Sequence, residues 1–223
     1  FELKQGETLG IVGRTGSGKS TLVNLLLRMM DPQSGRILID GKPIQEHNLH
    51  QLRKDVGYVP QEVFLFSDTV RNNIAFGMEV PDEAAIIQAA KDADIHENIL
   101  RFEKQYDTQL GERGINLSGG QKQRLSIARA IVKNPQMLIF DDCLSAVDTQ
   151  TEEHILHALQ RIMKGKTSII ISHRISGVKA ADKIIVLDQG SIVEQGTHDE
   201  LLAYGGIYAS LHRKQQLENV QTS

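Results

Sequence analysis

Residues 13–21 combine glycine, lysine and hydroxyl side chains in a spacing that suits phosphate chemistry. Gly13-Arg14-Thr15-Gly16-Ser17-Gly18-Lys19-Ser20, followed by Thr21, fits G-x-x-x-x-G-K-[ST]. Its glycines permit backbone angles that turn successive N–H groups onto phosphate oxygens. Lys19 is placed to reach the β- and γ-phosphates of a bound nucleotide, and Ser20 to ligate Mg²⁺. The apolar run Thr8–Val12 reads as a strand before this loop. A helical pattern begins at Lys19, so a positive helix end faces the same phosphates. The expected cofactors are therefore ATP and Mg²⁺. Such a metal also needs a carboxylate. Met137-Leu138-Ile139-Phe140-Asp141 is an apolar strand closing on Asp, and parallel sheets gather their chemistry at strand C-terminal ends, so Asp141 is expected to meet Gly13 there. Taken alone, Asp141 also suits a simple helix cap.

A second phosphate-compatible segment is Leu117-Ser118-Gly119-Gly120-Gln121. It opens a helix, with Ser118 as N-cap and glycines that bare the N–H groups at the dipole end. By itself it reads equally as a loop and cap.

The elements that must position these residues follow from periodicity. Thr8–Val12, Ile37–Asp40, Val56–Val59, Met137–Asp141, Thr167–Ser172 and Lys183–Leu187 have strand character. Lys19–Met30, about Asp82–Ala93, Ile95–Phe102, Ser118–Val132, Thr149–Lys164 and a segment near Ser176–Ala181 have helical spacing. Thr149-Gln150-Thr151-Glu152 has the form of a capping box. Asp188-Gln189-Gly190 predicts a hairpin into Ser191–Glu194. Strands alternating with helices predict an α/β fold with a mostly parallel sheet covered on both faces, an N-terminal antiparallel β part, and a helical lobe at about 62–118 inserted into the core. The polar tail Gln215–Ser223 is expected to fray.

Composition sets limits on function. Across 223 residues, 40% are hydrophobic, 24% are charged and the formal net charge is −3, which argues against a nucleic-acid binder. Cys143, the single cysteine, excludes an internal disulfide. No run of about 18 apolar residues is present to cross a bilayer. Phe1-Glu2-Leu3 already alternates like a strand, so the chain is expected to be a piece of a longer one.

The whole set, in order, resembles the nucleotide-binding domain of an ATP-binding-cassette (ABC) transporter, with its P-loop NTPase, RecA-like core, over nearly the full length. The matching parts are the loop 13–20, Gln61 after Val59-Pro60, the signature 117–121, the strand ending at Asp141, Ser145-Ala146-Val147-Asp148, and Ser172-His173-Arg174. The resemblance implies that Gln61 touches Mg²⁺ and the attacking water, that Asp148 communicates between sites, and that His173 contacts the γ-phosphate. It implies head-to-tail pairing with a second such domain, in which Leu117–Gln121 serves the partner's nucleotide. Thr108–Gly114, similar to T-x-V-G-E-R-G with Leu110 for the usual Val, and Phe64–Ile74 look exporter-like. They imply contact with the coupling helices of an N-terminal transmembrane domain, at the cytoplasmic face of a membrane. In the family the segment Thr108–Gly114 makes that contact, and Phe64 and Phe66 are candidate docking residues.

Two departures stand out. The adenine-stacking aromatic residue of the family lies upstream of the first strand, and Phe1 is too close to serve. The family's usual Glu after the strand Asp is here Asp142, one methylene shorter. A general base must lie within about 2.6–3.2 Å of its proton, so a site with this carboxylate is expected to bind nucleotide and hydrolyse it slowly. Asp here is similar to the degenerate site of heterodimeric exporters, and the tail Leu211–Glu218 resembles that of such half-transporters, which implies a partner from a different half-transporter chain. A homodimer with two slow sites, a non-transport ABC ATPase and a nucleotide-gated regulatory module are the competing readings.

Overall fold

The computed structural model describes residues 1–111, 117–144 and 149–221, without the side chains of residues 149, 150 and 219–221. In chain order the elements are β1 (Thr8–Gly13), α1 (Lys19–Leu26), β2 (Leu38–Ile39), β3 (Lys42–Pro43), α2 (Leu49–Lys54), β4 (Val56–Val59), α3 (Val70–Ala75), α4 (Glu83–Asp92), α5 (His96–Leu100), α6 (Gly119–Ile131), β5 (Met137–Asp141), α7 (Thr149–Met163), β6 (Thr167–Ile171), α8 (Ile175–Val178), β7 (Lys183–Asp188), β8 (Ser191–Gly196), α9 (His198–Tyr204) and α10 (Ile207–Gln221).

Six strands form one sheet in the order β4-β5-β6-β1-β7-β8; the first five are parallel and β8 is antiparallel to β7. A separate antiparallel pair, β2 and β3, turns at Asp40-Gly41. The parallel strands alternate their side chains between two apolar layers, as a sheet covered on both faces requires. Leu9, Ile11, Ile169, Ile171, Ile185 and Leu187 face the layer that receives Val23 and Leu27. Val12, Ile170, Ile184 and Val186 face the larger layer beneath α6, α7 and α8, which continues into α3–α5.

Among the described residues between β4 and α6 the chain adds α3, α4 and α5 and no strand of either sheet. Local caps mark these helices: Thr69 Oγ1 accepts from Asn72 N–H, and Asp82 Oδ1 from Ala84 N–H. Arg129 of α6 ties this segment down. It donates to the carbonyls of Asn73 and Phe64 and to Asn73 Oδ1, and its guanidinium lies over the rings of Phe66 and Phe76. Burial pushes its pKa down to about 10.

Several boundaries differ from the sequence expectation. Helix α1 stops at Leu26 rather than Met30, because Arg28 turns left-handed at φ 49° and Arg53 of α2 donates to the Leu27 and Arg28 carbonyls. Phe1–Leu3 forms no strand. Glu152 turns its buried carboxylate onto Ser176 Oγ (2.6 Å) and Arg174, while the Thr149 side chain expected to cap with it lies outside the described residues. The tail does not fray at Gln215: α10 runs on to Gln221. Glu194 caps its first turn by accepting from Ile207 and Tyr208 N–H (3.0 Å for the latter), and fully buried Tyr208 anchors it.

Candidate functional site

The strand order settles which loops meet. β1 lies between β6 and β7, and β6 separates it from β5, so the segments leaving β1, β6, β5 and β4 emerge along one edge. Those segments carry Gly13–Ser20, Ser172-His173, Asp141-Asp142 and Gln61 respectively.

The loop 13–20 is closed by Ser17 N–H donating to the Arg14 carbonyl (3.1 Å), and the β7–β8 turn supports it where Gly190 N–H donates to the Ser17 carbonyl (3.0 Å). Gly18, at φ 103°, occupies a conformation that side chains resist, and α1 starts directly after it. Lys19, only 7% exposed, donates to the Gly13 and Arg14 carbonyls at 2.8 and 2.9 Å. Burial lowers its pKa, against the opposing pull of Asp142 and Asp141. Ser17 Oγ is buried and has no hydrogen-bond partner among the described residues. A buried ammonium, an unpaired hydroxyl and a helix start in one short loop form a donor set suited to a polyphosphate. Arg14, Thr15, Gly16, Ser20 and Thr21 complete the loop; Arg14–Gly16, Ser20 and Thr21 are exposed.

Asp141 ends β5. Its carboxyl pKa is raised by burial first and by Asp142 next, while Lys19, a hydrogen bond from Tyr58 and His173 pull it back. Burial, and the carboxylate it donates to, push the Tyr58 hydroxyl to about 12. Tyr58 is not among the residues that motif spacing singles out. The signal was there: a polar-tipped aromatic in the otherwise apolar strand Val56–Val59 needs a partner.

Asp142, 4% exposed, is left-handed at φ 45° and donates its N–H to the Ile171 carbonyl of β6. Its Oδ1 accepts from His173 N–H at 3.2 Å and its Oδ2 from Gln61 Nε2 at 3.3 Å; His173 Nε2 stands 4.0 Å from Oδ2. Asp142, Gln61 and His173 thus form one cluster around a single carboxylate, next to Asp141.

No group of three or more His, Cys, Asp or Glu able to hold a metal exists among the described residues. The residues expected to hold Mg²⁺, Ser20, Asp141 and Gln61, offer a hydroxyl, a carboxylate and an amide oxygen, a set that would hold such a cation together with nucleotide phosphates.

Leu117, Ser118, Gly119, Gly120 and Gln121 lie at the start of α6. Ser118 Oγ accepts from Gln121 N–H (3.2 Å) and Gln121 Oε1 from Ser118 N–H (3.0 Å), a capping box that leaves Ser118 and Gly119 exposed. A Cβ on Gly120 would stand 2.5 Å from Thr151 Cγ2 of α7, so only glycine lets these helices approach. Asp148 lies outside the described residues, as do Glu112–Gly114. Leu110, placed in the sequence reading within the exporter-like segment, is buried in the apolar layer, and Phe64 is exposed. Among the described residues, no helix is long and apolar enough to cross a membrane.

The ABC transporter family model matches residues 1–145. The chain belongs to that family. It is 49% identical over 96% of its length to an ATP-dependent lipid A-core flippase of Alcanivorax borkumensis, covering 37% of that protein. To a lipid A-core flippase 1 of Colwellia psychrerythraea it is 52% identical, over 95% of the chain and 35% of the relative. Among solved structures, a bacterial Atm1-family ABC exporter with ATP bound superposes with a TM-score of 0.91 at 46% identity, over 96% of this chain and 38% of that one. The chain therefore spans a little over a third of these relatives. The part it shares with them is the ATP-binding domain of an exporter-type ABC transporter.

Proposed function

We propose that this domain is the ATP-hydrolysing motor of an ABC exporter half, and that its own site turns over slowly. The observation that carries the reading is the convergence of Lys19, Asp141, Asp142, Gln61 and His173 at one edge of the sheet. Residues Gly13–Thr21 bind the phosphates, with Lys19 moving from the carbonyls of Gly13 and Arg14 to neutralise their charge. Ser20, Asp141 and Gln61 would hold Mg²⁺, which when bound would supply charge neutralisation on the phosphates. Asp142 acts as general base on water, and His173 contacts the terminal phosphate. The Asp142 carboxylate is already engaged by His173 N–H and Gln61, which favours a slow site. That also keeps the nucleotide-gated module as a second reading.

The likeness to ABC exporters supports the remaining parts of the proposal. The α3–α5 segment, about 62–118, is the helical lobe of a RecA-like core, and Phe64 and Phe66 present a docking surface to a transmembrane domain. Leu117–Gln121 closes the ATP site of a second domain, head to tail, from a different half-transporter chain, and Asp148 links the two sites. The domain works at the cytoplasmic face of a membrane.

Equilibrium binding and steady-state hydrolysis by the full-length protein test this. Wild type is expected to bind ATP with Mg²⁺, and Lys19→Ala to lose hydrolysis by about 10²-fold or more while remaining folded. Hydrolysis that survives Lys19→Ala unchanged refutes the site.

A further inference from the structure

We propose that Gln215, on the C-terminal helix α10, is a positioning residue that holds the backbone of His173, and through it the carboxylate of Asp142. Both ends of its amide are used. Nε2 donates to the His173 carbonyl at 2.6 Å, and Oε1 accepts from Ile175 N–H at 2.8 Å. The same His173 residue donates its own N–H to Asp142 Oδ1. One side chain on α10 therefore holds the segment 173–175 by a carbonyl and an N–H, and that segment holds the carboxylate expected to activate water.

The chemistry is specific to an amide. Glu at 215 keeps the acceptor for Ile175 but sets a carboxylate against the His173 carbonyl. Asn is a methylene too short to span both groups. A helix merely docking on α8 has no need of paired bonds to two backbone groups flanking Arg174.

The rest of the segment is braced independently. Arg174 pairs with Glu152 of α7, and its N–H donates to Ser172 Oγ (2.9 Å). These contacts fix the base of the segment, while Gln215 fixes the peptide next to the imidazole. Helix α10 is itself anchored away from the site, through Glu194 at its first turn and buried Tyr208, whose hydroxyl bonds His198 Nδ1 at 2.7 Å. Helix α10 is thus anchored independently of Gln215, and the Gln215 contact is expected to act on turnover and not on nucleotide binding, since the hydrogen bonds described for Lys19 and Gly13–Ser20 include none to α10.

The inference rests on reading the site as an ATP-hydrolysing one. Its test compares wild type, Gln215→Ala, Gln215→Glu and the neighbouring Gln216→Ala in the full-length protein. Four quantities are read: kcat, nucleotide affinity, melting temperature and amide exchange at Ile175. Loss of both hydrogen bonds in Gln215→Ala, and of the bond to the His173 carbonyl in Gln215→Glu, predicts a kcat about tenfold lower in each variant. Nucleotide affinity is expected to stay within about twofold. Melting temperature holds, Ile175 exchange accelerates in Gln215→Ala, and Gln216→Ala matches wild type. An unchanged kcat in both Gln215 variants, or parallel loss of kcat, affinity and melting temperature, overturns the proposal while wild-type hydrolysis leaves the functional reading intact. Wild type without any hydrolysis removes that reading, and this inference with it.

Discussion

Asp142 sits in a backbone conformation that most side chains avoid. Its φ of 45° is left-handed, a region that Asp enters more readily than most residues, and its carboxylate is held from across the sheet by His173 N–H. Glu would lengthen the side chain by one methylene and is less at ease in this backbone region, at about 1 kcal/mol. The expected outcome of Asp142→Glu is a modest loss of melting temperature with turnover raised by about tenfold or more, read in single-turnover hydrolysis. Unchanged turnover would show that the short carboxylate is not limiting. Asp141 carries the opposite tension. Its folded-state pKa is raised, so its contribution to stability is full below the unfolded value near 3.8 and lost as pH rises through the folded value. At pH 7 the ionised carboxylate is therefore a cost to the nucleotide-free fold. Asp141→Asn is expected to melt higher than wild type at pH 7, with the difference shrinking in acid, and to lose Mg²⁺-dependent ATP binding. A lower melting temperature at pH 7 contradicts this account.

At the scale of elements, α6 joins the two halves of the architecture. Its Arg129 end holds the α3–α5 segment, and Gly57 of β4 comes so close that a Cβ there would stand 2.6 Å from the Ala130 carbonyl. Its Ser118 end meets α7 through Gly120 and Thr151. Adding a methyl at Gly120 forces an overpacked contact, typically about 1–3 kcal/mol. Gly120→Ala should destabilise by that order in chemical denaturation, and Thr151→Ser in the same chain should recover much of it by deleting Cγ2. Additive losses in the double variant would place the strain elsewhere. The start of α1 at Lys19, the Ser118 cap of α6 and the strands before the loop 13–20 and ending at Asp141 were legible from pattern alone. The end of α1 was not, because Arg53, from a different helix, decides it. Nor was α10, where Glu194 and Gln215 supply partners from far along the chain.

On the scale of the whole molecule, the exposed capping box at Ser118-Gly119 and the loop 13–20 are two phosphate-compatible helix starts in one chain. The proposed head-to-tail pairing uses one from each partner. Ser118→Arg places a bulky cation in the exposed signature and removes a cap worth about 1 kcal/mol. It is expected to abolish ATP-induced association in sedimentation velocity while ATP binding to the loop persists. Association that survives Ser118→Arg counts against the composite site.

Local spacing pointed to a phosphate-binding loop at Gly13–Ser20 and a helix start at Leu117–Gln121, because phosphate cradles and helix starts are built from consecutive residues. The expected roles of Gln61 and His173 came from the resemblance of the whole ordered set to ABC transporters. The tertiary structure decided which groups surround a given carboxylate. Tyr58 on Asp141, His173 N–H and Gln61 on Asp142, and Gln215 behind His173 come from strands and helices that neighbour each other only through the sheet order and the packing of α10. Such contacts join residues far apart in the chain, and no periodicity or motif spacing encodes them.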